Sequence, residues 1–131
     1  MVQHNDPVYS RQVNPDTGLR PVVFVVDDEP MLLRALARLL KELPIDVEVF
    51  DRPAEVLARC AQLEPRLVIT DLRMPEMTGL QLAAAIHLNY PNVKIILHTG
   101  TPHEASTEFA LLIKPASKEE VQASVRAALA G

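Results

Sequence analysis

From Val22 onward the chain repeats one pattern: a short apolar run, then a longer stretch with apolar residues every three or four positions. Val22-Val23-Phe24-Val25-Val26 is a continuous and largely β-branched run, as a strand buried on both faces needs. A helix is predicted from about Pro30, where the missing proline N–H costs nothing. Its apolar stripe is Leu32, Leu33, Leu36, Leu39 and Leu40; Arg34, Arg38 and Lys41 face water, and Pro44 ends it. Ile45 to Phe50 interleaves Asp46 and Glu48 with apolar residues, the mark of a half-covered edge strand. A second helix starts near Pro53 and turns Val56, Leu57 and Cys60 inward. Leu67-Val68-Ile69 reads as a buried strand, Leu80 to Leu88 as a helix, and Val93 to Leu97 as a strand. Phe109 to Ile113 follows as the fifth strand. The last helix runs from Ser117 to Leu129, with Ser117 and Glu120 spaced as a capping box. Val121, Val125, Ala128 and Leu129 form its inner stripe.

Strand and helix thus alternate, with a weak place between the fourth and fifth strands. This order predicts an α/β domain with a doubly wound five-stranded parallel sheet over residues 21–131. Residues 1–20 lack apolar periodicity and carry Asn5-Asp6-Pro7 and Asn14-Pro15-Asp16-Thr17-Gly18, so they are read as a flexible leader. Composition agrees with the α/β reading. Of the 131 residues 48% are hydrophobic, yet only 4% are aromatic, so the core must be aliphatic. A net charge of −4 gives no footprint for nucleic acid. Cys60 is the single cysteine, which excludes an internal disulfide. No apolar run approaches a membrane span, and a cytoplasmic location is the expectation.

In an open parallel sheet the working site lies beyond the carboxyl ends of the strands, where strand order reverses. The polar residues at those ends are Asp27 and Asp28, Asp71, Thr99, and Lys114 before Pro115. Acids gathered in one place repel and recruit a hard cation with oxygen ligands. Mg²⁺ suits a site that handles phosphate, with Asp28 and Asp71 as direct ligands and Asp27 acting through water. The backbone carbonyl of Arg73 would complete the protein's share. Asp71 is the candidate nucleophile, and Lys114 would neutralise charge on a transferring phosphoryl group. Thr99 would donate its hydroxyl to that group once attached. Read singly, these residues have plainer roles: Asp27-Asp28 as a solvated turn capping a helix, Thr99 as a strand-end hydroxyl, Lys114 as a surface lysine. His4, His87, His98 and His103 lack metal-ligand spacing. By strand alternation His98 points away from Thr99.

Val25-Val26-Asp27-Asp28-Glu29-Pro30, Thr70-Asp71-Leu72-Arg73-Met74-Pro75 with Gly79, Thr99-Gly100 and Lys114-Pro115 together resemble the response-regulator receiver domain of two-component signalling. The resemblance covers about residues 22–130. It implies the flavodoxin-like strand order 2-1-3-4-5, phosphotransfer from a histidine kinase or phosphotransfer protein to Asp71, Mg²⁺ dependence and slow self-hydrolysis. It also implies a downstream protein partner reached by a shift between inactive and active surfaces. A stand-alone regulator acting through protein contacts is expected, since the chain ends just after the last helix.

Two departures from the family stand out. Only Gly100 to Glu108 separates the fourth and fifth strands, and Thr101, Pro102, Ser106 and Thr107 are poor helix material, so the fourth helix is expected to be missing or reduced. The family's aromatic switch position, three before the lysine, is Leu111. The usual dimer and output surface is therefore in question, and the oligomeric state stays open. Arg73 and Thr101 flank the site, and neither can orient an attacking water, which predicts a long-lived phospho-form. A pseudo-receiver that binds partners without phosphate is the competing reading. An aspartate-nucleophile phosphatase would need an acid at Arg73, and a flavin domain would need a first turn less rich in acid.

Overall fold

A computed structural model describes residues 19–105 and 109–131; the leader reading for residues 1–18, His4, and Ser106, Thr107 and Glu108 lie outside it. The elements are β1 (Val22–Val26), α1 (Pro30–Leu40), β2 (Asp46–Phe50), α2 (Pro53–Gln62), β3 (Leu67–Asp71), α3 (Gly79–Asn89), β4 (Lys94–Thr99), β5 (Ala110–Ile113) and α4 (Lys118–Ala130). All strand pairs are parallel, in the order β2-β1-β3-β4-β5. β1 sits between β2 and β3, so strand order reverses at its carboxyl end.

Strand alternation divides the apolar residues between two layers. Phe24, Val26, Val68 and Leu97 face α2 and α3, against Val56, Cys60, Leu82 and Ile86. Val23, Val25, Ile69, Ile96 and Leu112 face α1 and α4, against Leu33, Leu36, Leu40, Val121 and Val125. With few rings available, the only aromatic packing among the described sheet residues is Phe24 on Phe50, edge to face at 4.9 Å. β1 is buried throughout, as its unbroken apolar run requires, while the interleaved β2 is half-buried.

Several boundaries differ from the sequence reading. α1 stops at Leu40, ahead of Pro44, because Leu43 and Ile45 already turn into the core. β3 extends to Asp71 and β4 to Thr99, since pairing with neighbours carries the polar strand ends along. β5 starts one residue late, at Ala110. Ser117 and Glu120 form the expected capping box, and Thr78 with Gln81 forms a second one that opens α3. The reduced fourth helix is borne out: among the described residues between β4 and β5 there is a single 3₁₀ turn, Pro102–Glu104.

α3 begins hard against the end of β3. The Gly79 N–H donates to the Leu72 carbonyl at 2.7 Å, and a Cβ on Gly79 would stand 2.1 Å from the Asp71 carbonyl oxygen. Only glycine fits, because backbone and not a movable side chain fills the space. Gly79→Ala should cost about 2–3 kcal/mol by forcing the Asp71 turn outward; urea unfolding measures this, and a loss below about 0.5 kcal/mol would refute the close approach.

Candidate functional site

Register brings the polar strand ends together. Val26 pairs with Thr70 across β1 and β3, so Asp27 and Asp71 emerge side by side. Thr99 pairs with Ile113, and the Lys114 N–H donates to the Thr99 carbonyl at 2.9 Å, which brings Lys114 to the same rim. The Lys114 ammonium donates to Asp71 Oδ1 at 3.2 Å and stands 3.8 Å from Asp27 Oδ2. Carboxylate oxygens of Asp27, Asp28 and Asp71 lie within 4.8 Å of one another. The Lys114–Pro115 peptide bond is cis.

Local hydrogen bonds orient the acids. Asp27 Oδ1 accepts from the Glu29 N–H at 2.8 Å, and Asp71 Oδ1 accepts from the Leu72 N–H at 2.8 Å. Asp71 Oδ1 therefore holds two donors, while Oδ2 has none among the described residues. Asp27 is 1% exposed, and its Oδ2 is buried without a hydrogen bond. Burial, reinforced by Asp71 and Asp28, pushes its carboxyl up to about 6 against the Glu29 N–H and Lys114. A buried carboxylate oxygen lacking a donor, beside two further carboxylates, is an all-oxygen set that fits Mg²⁺. The Arg73 carbonyl also accepts no hydrogen bond among the described residues.

The Thr99 hydroxyl and the Arg73 side chain have partners of their own, while the Arg73 carbonyl stays available. Thr99 is buried, and its hydroxyl contacts the Thr101 hydroxyl at 3.1 Å while accepting from the Thr101 N–H at 2.9 Å. The Arg73 guanidinium grips Glu104 through two bonds, with Nε to Oε1 at 3.0 Å and Nη2 to Oε2. Thr101 donates to the same carboxylate at 3.2 Å. Arg73 holds the Glu104 carboxyl below the usual range. Sequence reading missed Glu104, which neither strand ends nor helix stripes single out.

The histidines form no cluster with metal ligands among the described residues. His87 meets the Phe109 ring edge-on, and His103 is exposed. His98 is 4% exposed and lines an apolar cavity of about 280 Å³ with Leu36, Leu39 and Val121, on the layer away from Thr99, as alternation predicts. Its Nδ1 is buried without a partner. Burial, then Lys114, lowers its pKa to about 4. Cys60 is buried in the core, which pushes its thiol up to about 11.

Residues 23–126 match the family model of the response regulator receiver domain. The chain belongs to that family. It is 35% identical over 81 residues, 62% of this chain, to the DNA-binding transcriptional regulator NtrC of Escherichia coli K12, of which that match spans 17%. A signal receiver domain of an HD domain-containing protein from Pseudomonas fluorescens Pf-5 superposes with a TM-score of 0.76 at 31% identity, covering 85% of this chain and 88% of that one. The response regulator TrrA of Thermotoga maritima, solved in complex with Mg(2+)-BeF, gives a TM-score of 0.77 at 28% identity, covering 83% and 99%. The chain spans less than a fifth of the length of NtrC. Receiver domains are signalling modules that meet histidine kinases or phosphotransfer proteins and downstream effectors. No described helix is long and apolar enough to cross a membrane.

Asp27 and His98 oppose each other in acid. A raised carboxyl means the folded chain binds the proton first, so Asp27 removes stability as pH rises from 3.8 through about 6. A lowered imidazole means the unfolded chain binds it first, so His98 removes stability as pH falls from 6.5 through about 4. Between these limits the two nearly cancel. Asp27→Asn should unmask the His98 slope, with stability falling by roughly 2–3 kcal/mol more than wild type from pH 6.5 to 4. Urea midpoints across that range test it, and parallel profiles for the two proteins would count against it.

Proposed function

We propose that this receiver domain accepts a phosphoryl group on Asp71 from the phosphohistidine of a sensor kinase or phosphotransfer protein. The observation that carries the reading is the Asp71 carboxylate, tied to Leu72 and Lys114 through Oδ1 and left with Oδ2 undonated at the reversal point of the sheet. Oδ2 attacks phosphorus, the O–P bond forms as the N–P bond breaks, and the imidazole departs. Lys114 keeps its place beside Asp71 and offsets negative charge on the phosphoryl oxygens. Asp27, Asp28, Asp71 and the Arg73 carbonyl would hold Mg²⁺, which when bound supplies the remaining charge neutralisation. Asp27 also serves by its burial: its unpartnered oxygen gives a divalent ion a reason to bind. Thr99 must release its hydroxyl from Thr101 before it can donate to the phosphoryl group.

A phosphorylation-independent binding module is the second reading. Leu111 at the aromatic position, 39% exposed on β5, and the 3₁₀ turn Pro102–Glu104 in place of a longer helix among the described residues after β4 favour it. Phosphoramidate with Mg²⁺ separates the two. Intact mass should show one phosphoryl group on wild type and none on Asp71→Asn, while Lys114→Ala should slow uptake at least tenfold. Equal uptake by Asp71→Asn would abandon the acceptor assignment. Mg²⁺ should raise the thermal midpoint of wild type and leave an Asp27→Asn, Asp28→Asn double variant unmoved.

Lifetime follows from the flanking side chains. Neither Arg73 nor Thr101 can take a proton from water, so the acyl phosphate should persist for minutes or longer after the donor is removed. Complete decay within seconds would show that another group activates water.

A further inference from the structure

We propose that Glu104 is the positioning residue through which the phosphorylated state of Asp71 is read, in place of an aromatic side chain; this rests on the acceptor assignment above. Each threonine hydroxyl has one proton. Thr101 Oγ1 gives its proton to Glu104 Oε1 at 3.2 Å, since a carboxylate can only accept. The 3.1 Å contact between the two hydroxyls must then be Thr99 donating to Thr101. Thr99 therefore spends its one proton on a chain that runs through Thr101 to Glu104.

A phosphoryl group on Asp71 would compete for both ends of this arrangement. It brings roughly −1.5 to −2 charge and three strong acceptors. Thr99 can donate to it only by withdrawing from Thr101, because there is no second proton to give. Arg73, two residues from Asp71, is held to Glu104 by a pair whose side chains are 69% and 37% exposed. Water screens a pair this exposed, so a doubly charged neighbour is a competent rival. His103 Nε2, 3.9 Å from Glu104 Oε2 and well exposed, is a weak substitute.

Loss of these donors bears on the 3₁₀ turn. That turn is closed by the Glu104 N–H on the Thr101 carbonyl at 2.9 Å and the Ala105 N–H on the Pro102 carbonyl at 3.0 Å. Its other tie to the acceptor rim is the Thr101 N–H on Thr99 Oγ1. Glu104 thus links the acceptor turn after β3 to the segment after β4 by side chains alone. With Leu111 unable to act as a ring that swings inward, this link is the path by which charge on Asp71 reaches that segment.

Amide hydrogen exchange at Thr101, Glu104 and Ala105 tests this, before and after phosphorylation of the full chain by phosphoramidate and Mg²⁺. In wild type, phosphorylation should speed exchange at these amides roughly three- to tenfold. In Glu104→Gln they should exchange fast from the start and gain little on phosphorylation, while intact mass shows phosphate uptake equal to wild type. Thr101→Val breaks only the hydroxyl chain and should roughly halve the response. It also keeps the test alive should Glu104→Gln not fold. Phosphate uptake with unchanged exchange in wild type, or a full response in either variant, would overturn the role of Glu104 alone. Absence of phosphate on Asp71 would instead overturn the acceptor assignment and this proposal with it.

Discussion

Three carboxylates within 4.8 Å of one another repel, and much of the molecule can be understood as the means of holding them there. Asp71 ends β3 and Asp27 directly follows β1, so strand pairing places both backbones, and the apolar layers on both faces of the sheet stabilise that pairing independently of charge. Lys114 offsets part of the repulsion, yet it lies closer to Asp71 than to Asp27. Asp27 keeps a buried oxygen without a donor, and its raised pKa is the thermodynamic trace of that. A site built this way is poised for a cation or a proton.

The same constraint explains why the turn after β3 is so tightly made. Gly79 lets the first turn of α3 press on the Asp71 carbonyl, and the Thr78–Gln81 box satisfies the helix end that results. The Leu72 N–H, freed from any ladder, points its donor at Asp71 Oδ1. One small residue, one cap and one backbone amide thus aim a single carboxylate. Each of these contacts is weak; together they leave the side chain one arrangement.

Across the sheet the two layers carry different duties. On the side of α1 and α4, His98 lines a cavity with Leu36, Leu39 and Val121 and is kept neutral at pH 7 by burial and by Lys114. The layer under α2 and α3 continues to Thr99, whose hydroxyl opens the chain to Thr101 and Glu104. Adjacent residues on β4 therefore report to opposite sides, one to a packed apolar wall and one to a polar, partly open link. The shortened connection after β4 leaves β5 lightly covered, with Ile113 54% exposed.

The alternation of apolar runs and stripes was enough to define five strands, four helices, a parallel sheet and the strand ends that carry Asp27, Asp28, Asp71, Thr99 and Lys114. That was legible because periodicity and strand-end position are local properties, and the shortened fourth helix was legible because so few residues span the gap. Helix and strand limits were less so: Pro44 marked a stop that core packing had already imposed at Leu40, and pairing carried β4 out to Thr99. Glu104 was invisible in the sequence. Its partners lie 31 and three positions away, on different elements, and only packing of the two loops brings Arg73 and Thr101 to one carboxylate. The sequence by itself settled which residues reach the rim. Tertiary structure alone decided which hydroxyls and carboxylates meet and which buried carboxylate oxygen lacks a hydrogen-bond donor, because those depend on distances that no local pattern encodes.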